Sequence, residues 1–241
     1  LLMIFTLLLG LKSLQATVPM TLPLNKIWSD SLEAPGPNRL AHPLKPLPPR
    51  DLANYIGQFE LITHFLTTMQ EHELEDNDFG GLHEGEGDQL WRVVETDNTQ
   101  EAIRVWCEYA LYFEDTDTYR DNIDAAWRYT DNFPAWEEAG QAEMYTIHNC
   151  GWGLVAEMRY RQAYDDSRRE YGIRCADHLA EHTPEITVKM EDRLMPLAAG
   201  WAAGTLYNYG LFEENQEYLE AALRIGAEVK AWIDEDPDRL N

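Results

Sequence analysis

From Leu52 onward the chain repeats its apolar positions at helical spacing. Between Leu52 and about Gln70, residues Tyr55, Ile56, Phe59, Ile62, Phe65, Leu66 and Met69 share one face, which predicts an amphipathic helix. Further along, the helical segments alternate in kind. Residues Leu194 to Phe212, LMPLAAGWAAGTLYNYGLF, carry no charge, whereas Tyr218 to Ile233 set Leu219, Ala222, Leu223, Gly226, Val229, Trp232 and Ile233 on one face and charges on the other. The pattern predicts one helix buried all round, followed by one half exposed. A weaker form of the contrast pairs Tyr145–Tyr164 with Arg168–His182, and Thr99–Phe113 with Tyr119–Phe133. The uncharged run is long enough to span a bilayer, but Pro196, its glycines, Thr205, Asn208 and two tyrosines make a poor lipid-facing surface.

A repeat underlies this alternation. Tyr119, Tyr171 and Tyr218 each follow a short polar turn (EDTDT, DDSRRE, EENQE) and open a helix, while Trp152 and Trp201 each follow a Gly in the preceding helix. The spacing is about 50 residues, the period of stacked helical hairpins that bury their apolar faces only against neighbours. The expected fold is all-α, in two layers, with uncharged helices inside and amphipathic ones outside.

Ahead of this region the composition changes. Thr17 to Arg50 is Pro-rich and ends in PGPNRLAHPLKPLPPR, which favours extended geometry and reads as a linker or strap. Met3 to Leu11 is an apolar run too short to span a bilayer, followed by Ser-Leu-Gln-Ala16, the pattern of an export signal without its basic n-region. The expected organisation is a signal peptide over 1–16, a strap over 17–50 and a helical domain over 51–241, in a secreted or periplasmic protein. Three cysteines at wide spacing give neither a disulfide framework nor a zinc pattern. On helical register, Cys150 and Cys175 stand about 10 Å apart along facing helices, so three buried free thiols are expected.

Composition and charge narrow the partners. The 241 residues are 44% hydrophobic and 11% aromatic, enough for a substantial core. Against 19 basic side chains stand 43 acidic ones, a formal charge of -24. That field repels phosphate backbones and anionic lipid, so nucleic acid and membrane surfaces are excluded as partners beyond the export signal. Neutral ligands are not affected by it.

Candidate chemistry gathers at Phe79–Ala102, FGGLHEGEGDQLWRVVETDNTQEA. Gly80, Gly81, Gly85 and Gly87 suit a tight irregular loop. Asp76, Asp78, Glu84, Glu86 and Asp88 offer oxygen ligands to calcium but miss the EF-hand spacing, and a solvated acidic loop accounts better for their charge though not for the interleaved Leu90, Trp91 and valines. Asp97, with Gln100 three residues on, fits a capping box. Glycosyl transfer needs one protonated and one ionised carboxylate, and Asp88, Glu95 and Asp97 are the available set. Sugar rings stack their apolar C–H faces on indoles and pair their hydroxyls with amides, which makes candidates of Trp91, Trp106, Trp152 and Trp201 with Asn98 and Asn149, position favouring Trp152 and Trp201. His148 sits beside Asn149 at the same helix end as an acid, base or hydroxyl partner. His178 and His182, four apart, lack a third ligand and read as a solvated face.

The phrases ETDNTQEAIRVWCEY, YRDNIDAAWRY, NCGWGLVAEMRY and GWAAGTLYNYG, set in roughly 50-residue hairpins, resemble the six-hairpin glycosidase-like superfamily from about Asp51 to the end. The resemblance implies an (α/α) toroid with ligands at the narrow end of the inner helices. It also implies a carbohydrate-active protein: a glycoside hydrolase, a glucuronyl hydrolase or a sugar epimerase. Only three hairpins and a leading helix are counted before Asn241, so an incomplete copy of the ring is expected. On the residues themselves, an exported glycoside hydrolase-like enzyme and a non-catalytic helical-repeat module binding glycan or protein both remain open.

Overall fold

The computed structural model describes residues 52–86, 89–137, 143–187 and 194–235, apart from the side chains of 52–54, 85–93, 143 and 185–194. Residues 1–50, where the sequence predicts a signal peptide and a strap, lie outside the described residues. Among the described residues are seven helices: α1 (Leu52–Thr68), α2 (Thr96–Phe113), α3 (Arg120–Asn132), α4 (Glu143–Ala163), α5 (Arg169–Thr187), α6 (Leu194–Phe212) and α7 (Gln216–Glu235). Two strands, β1 (Leu82–Glu86) and β2 (Gln89–Glu95), complete the list. The all-α expectation holds at this level. No described helix is long and apolar enough to cross a membrane.

Helices α2, α4 and α6 pack side by side, and α3, α5 and α7 each pack on the helix before them. The hairpin period has a local cause. Asp115, Asp165 and Asn215, fifty residues apart, each turn their side-chain oxygen onto the backbone N–H two residues on, at 3.0, 2.9 and 2.9 Å. These are Asx turns, which reverse the chain between helices. Glu114 and Glu214, just ahead of two of them, adopt the left-handed conformation that ends a helix. The tyrosines that follow are all buried: Tyr119 stacks on Trp106, Tyr171 meets Trp127 edge-on, and Tyr218 donates its hydroxyl hydrogen bond to Asp177.

The contrast between paired helices follows the charge pattern. α6 buries Ala198, Ala199, Ala202, Leu206 and Tyr209, whereas α7 buries only Tyr218, Ala221, Ala222 and Ile225. Yet α6 is not buried all round: Leu197, Gly200, Gly204 and Asn208 stay exposed along one face. α5 also runs on through Pro184, past the His182 end of the segment read from the sequence.

Two local readings are corrected. The acidic stretch is no irregular loop: β1 and β2 pair antiparallel, with Leu82 opposite Glu95, His83 opposite Val94 and an irregularity between His83 and Gly85. Leu90, Trp91, Val93 and Val94 supply the strand propensity that its glycines and acids disguised. The cysteine register is wrong too. Burial and a hydrogen bond with the Cys150 thiol push the Cys175 thiol up, so the two are neighbours, although both are free.

Polar groups at the far ends of α4 and α6 form a buried network. The Arg161 guanidinium reaches Glu157 at 2.7 Å and also pairs with Glu213, which Arg169 contacts at 2.5 Å. Glu157 is fully buried. Burial alone would raise the Glu213 carboxyl, but hydrogen bonds from Arg169 and Arg161 outweigh it and hold the group below the usual range.

Two stability predictions follow from these contacts. A Cβ at Gly80, at φ 91°, would lie 1.9 Å from the Ala125 carbonyl oxygen. Gly80→Ala is therefore expected to cost more than about 2 kcal/mol in chemical denaturation. Glu213→Gln removes the charge that two arginines share and is expected to cost about 3 kcal/mol at pH 7. A carboxyl depressed on folding stabilises above its unfolded pKa and loses that contribution as pH falls through its folded value. The gap between wild type and Glu213→Gln should accordingly narrow below about pH 4, near the unperturbed Glu pKa.

Candidate functional site

The candidate site lies at the N-terminal ends of the adjacent helices α2, α4 and α6. α2 begins at Thr96, with Glu95 as its N-cap residue, and no side chain caps it. Asp97 is thus inside the first turn rather than at the cap, and the capping box with Gln100 does not form. Gln100 instead donates from its side-chain amide to the Tyr171 hydroxyl, 2.9 Å away. Asp97 Oδ1 accepts the backbone N–H of Asn98 at 2.7 Å, and an acid in the first turn is favoured by the helix dipole.

The second Asp97 oxygen faces α4. Its Oδ2 lies 3.3 Å from His148 Nδ1. One turn along, Trp152 presents its ring edge-on to the imidazole, 6.4 Å between centroids. Trp201 reaches in from α6, stands 4.6 Å from Trp152 at an interplanar angle of 46°, and donates its indole N–H to the His148 carbonyl at 3.2 Å. Asn149, next in line, is buried. Asp97, His148, Trp152 and Trp201, read separately from the sequence, thus form one constellation.

The other candidates divide. Asp88 lies outside the described residues, as does the side chain of Trp91, whose backbone belongs to β2. Glu95 sits half buried at the junction of β2 and α2, where its carbonyl accepts a bond from the Thr99 hydroxyl. Asn98 enters through its backbone contact with Asp97. Among the described residues no group of three or more His, Cys, Asp or Glu is placed to hold a metal ion. His178 departs from the solvated-face reading. Its Nε2 contacts the Thr146 hydroxyl at 3.1 Å, and burial, with the charge of the neighbouring His182, pushes its pKa down to about 4.

Sequence reasoning passed over Glu101. It follows Asp97 by one turn on the same face of α2, and burial first, then the negative charge of Asp97, raises its pKa to about 7 despite the opposing influence of His148 and Arg104. Arg104 and Glu108 continue the stripe, and Glu108 pairs with Arg159 of α4 at 2.6 Å. The available signal was the spacing: acid, acid, Arg, acid at i, i+4, i+7 and i+11 on a helix whose other positions from Ala102 onward are apolar or aromatic. A carboxyl that changes charge near neutrality, one turn from a carboxylate paired with His148, can exchange protons with a bound molecule.

The sign of the Glu101 shift sets a test. A carboxyl raised on folding destabilises most where it is charged in both states, above its folded pKa. Glu101→Gln should raise the melting temperature more at pH 8 than at pH 5, and Asp97→Asn should lower the Glu101 midpoint followed by carboxyl carbon NMR. Compared with known proteins, the chain matches no family model, no curated protein and no solved structure.

Proposed function

We propose that this protein binds and hydrolyses carbohydrate at the site formed by Asp97, Glu101, His148, Trp152 and Trp201. The observation that carries the reading is a buried carboxyl, Glu101, one turn from Asp97, whose partner His148 adjoins two indoles. Glu101 is raised to about 7 by burial and by Asp97, while Asp97 pairs with His148 at 3.3 Å. Glycosidic cleavage asks for this division of labour.

In this reading Glu101 holds the proton for the leaving glycosidic oxygen. Asp97, kept in place by His148, faces the charge that develops on the sugar ring or activates the attacking water. Residues four apart on a helix hold their Cβ atoms about 6 Å apart, and carboxyl separations of about 5–10 Å serve either mechanism. Trp152 and Trp201 give the apolar faces on which a pyranose stacks, and the neutral character of a sugar suits a chain of charge -24. The role given to Asp88 and Glu95 on sequence grounds passes to Glu101. The adjacent rows of helices support the wider reading of these hairpins as part of an (α/α) toroid of the six-hairpin glycosidase type, and the apolar run at Met3–Leu11 supports export.

Turnover of a panel of neutral oligosaccharides, including cello-, xylo- and manno-hexaose, tests the proposal. Asp97→Asn and Glu101→Gln should each reduce hydrolysis at least about a hundredfold, while binding measured by calorimetry persists. Binding without hydrolysis by the wild type would make the protein a glycan-binding module. Full activity in both variants would remove these carboxyls from the chemistry.

A further inference from the structure

Among the helical glycines Gly151 stands out by what it admits. An added Cβ there would lie 2.3 Å from Nε1 of Trp201, 2.6 Å from its Cδ1 and 3.2 Å from its Cε2. Real Cβ atoms do not approach so closely. All three atoms belong to one indole, so the bare backbone of α4 at this position is covered by the ring of Trp201. On α6, the glycines around that tryptophan behave oppositely: a Cβ at Gly200 or Gly204 would meet nothing within 4 Å. The indole therefore has a glycine under it on α4, whereas the glycines near it on α6 leave room for a side chain of their own.

We infer that Gly151 is a positioning residue, whose missing side chain lets the Trp201 indole lie flush on α4 and become the fixed floor against which a sugar ring stacks. The floor's role rests on the carbohydrate reading above; the seating of the indole does not. Three contacts fix the ring. Its N–H donates to the His148 carbonyl at 3.2 Å, Trp152 meets it at 4.6 Å, and the His148 imidazole lies 6.4 Å away, tilted by 40°. A helical carbonyl has a second lone pair free for the indole N–H, so that bond does not compete with the helix. Trp201 remains half exposed, so a displaced ring has solvent to move into. A side chain at 151 would accordingly cost the fold little and the site much. The ligand that fits has an apolar C–H face for Trp201 and hydroxyls at its edge for Asp97 and His148, which is the chemistry of a pyranose.

Nitrogen-15 labelling of tryptophan resolves the seating directly, with the Trp201 indole signal assigned by its loss in Trp201→Phe. In the wild type that N–H should exchange slowly with solvent. In Gly151→Ala it should shift and exchange at least tenfold faster, with the melting temperature changed by only a few degrees. Oligosaccharide affinity over the same hexaose panel should fall at least tenfold in Gly151→Ala, as in Trp201→Ala. An unmoved indole signal overturns the inference, and so does unchanged affinity once the indole has moved. If the wild type binds none of the panel while the indole responds as expected, the carbohydrate reading and the floor's role fall together, and the seating stands. Should Gly151→Ala not fold, adding Trp201→Ala removes the obstacle and must restore folding; failure to do so also overturns the inference.

Discussion

Helix α4 is packed on three sides, by α2, α5 and α6, and every other feature of the domain accommodates that enclosure. A helix so surrounded has no broad face to give to charge, and each polar group on it needs a partner inside the protein. At one end the partners are Asp97 and Trp201 around His148; at the other they are Arg161, Glu213 and Arg169 around Glu157. Glycines are used where neighbours press closest. Gly151 faces the Trp201 ring, and a Cβ at Gly153 would lie 2.7 Å from the Cys175 sulfur.

The two ends of α4 treat charge differently, and this separates a structural cluster from a candidate reactive one. Around Glu213 the arginines win: burial is outweighed by hydrogen bonds, and the group stays acidic. Around Glu101 burial wins, helped by a like charge four residues away, and the group is poised near neutrality. The first arrangement joins α4, α5 and α6 where their hairpin turns meet. The second leaves a proton within reach of a partly open face, which ordinary structural ion pairing does not require.

Aromatic side chains perform both tasks as well. Trp127 lies fully buried with Tyr160 and Tyr171 set edge-on to it, at 5.7 and 5.3 Å, and ties the α2–α3 hairpin to the α4–α5 hairpin. Trp152 and Trp201 also pair, tilted by 46°, toward the helix N-termini, but there the pair adjoins His148 and Trp201 remains partly exposed. Burial, rather than residue type, distinguishes a core aromatic from one that can meet a ligand.

The sequence by itself determined the helices, their order and their contrast in burial. Apolar spacing and the presence or absence of charge are local properties, and α6 begins and ends where its uncharged run does. The same is true of the turns, because Asp115, Asp165 and Asn215 act on their own backbone. Position along the chain also drew attention to Asp97, His148, Trp152 and Trp201, each near the start of a helix. Tertiary structure alone decided what those residues touch. Asp97 reads as a cap until α4 brings His148 to it, and Cys150 and Cys175 read as out of register until the helix packing makes them neighbours. Glu101 is an ordinary helical acid in the sequence; the like charge of Asp97 is one turn away on the same helix, but the burial that dominates its raised pKa exists only once the chain is packed around it. Helix formation depends on a few neighbouring residues, whereas desolvation and charge pairing depend on everything packed around a group, and only the folded chain supplies that.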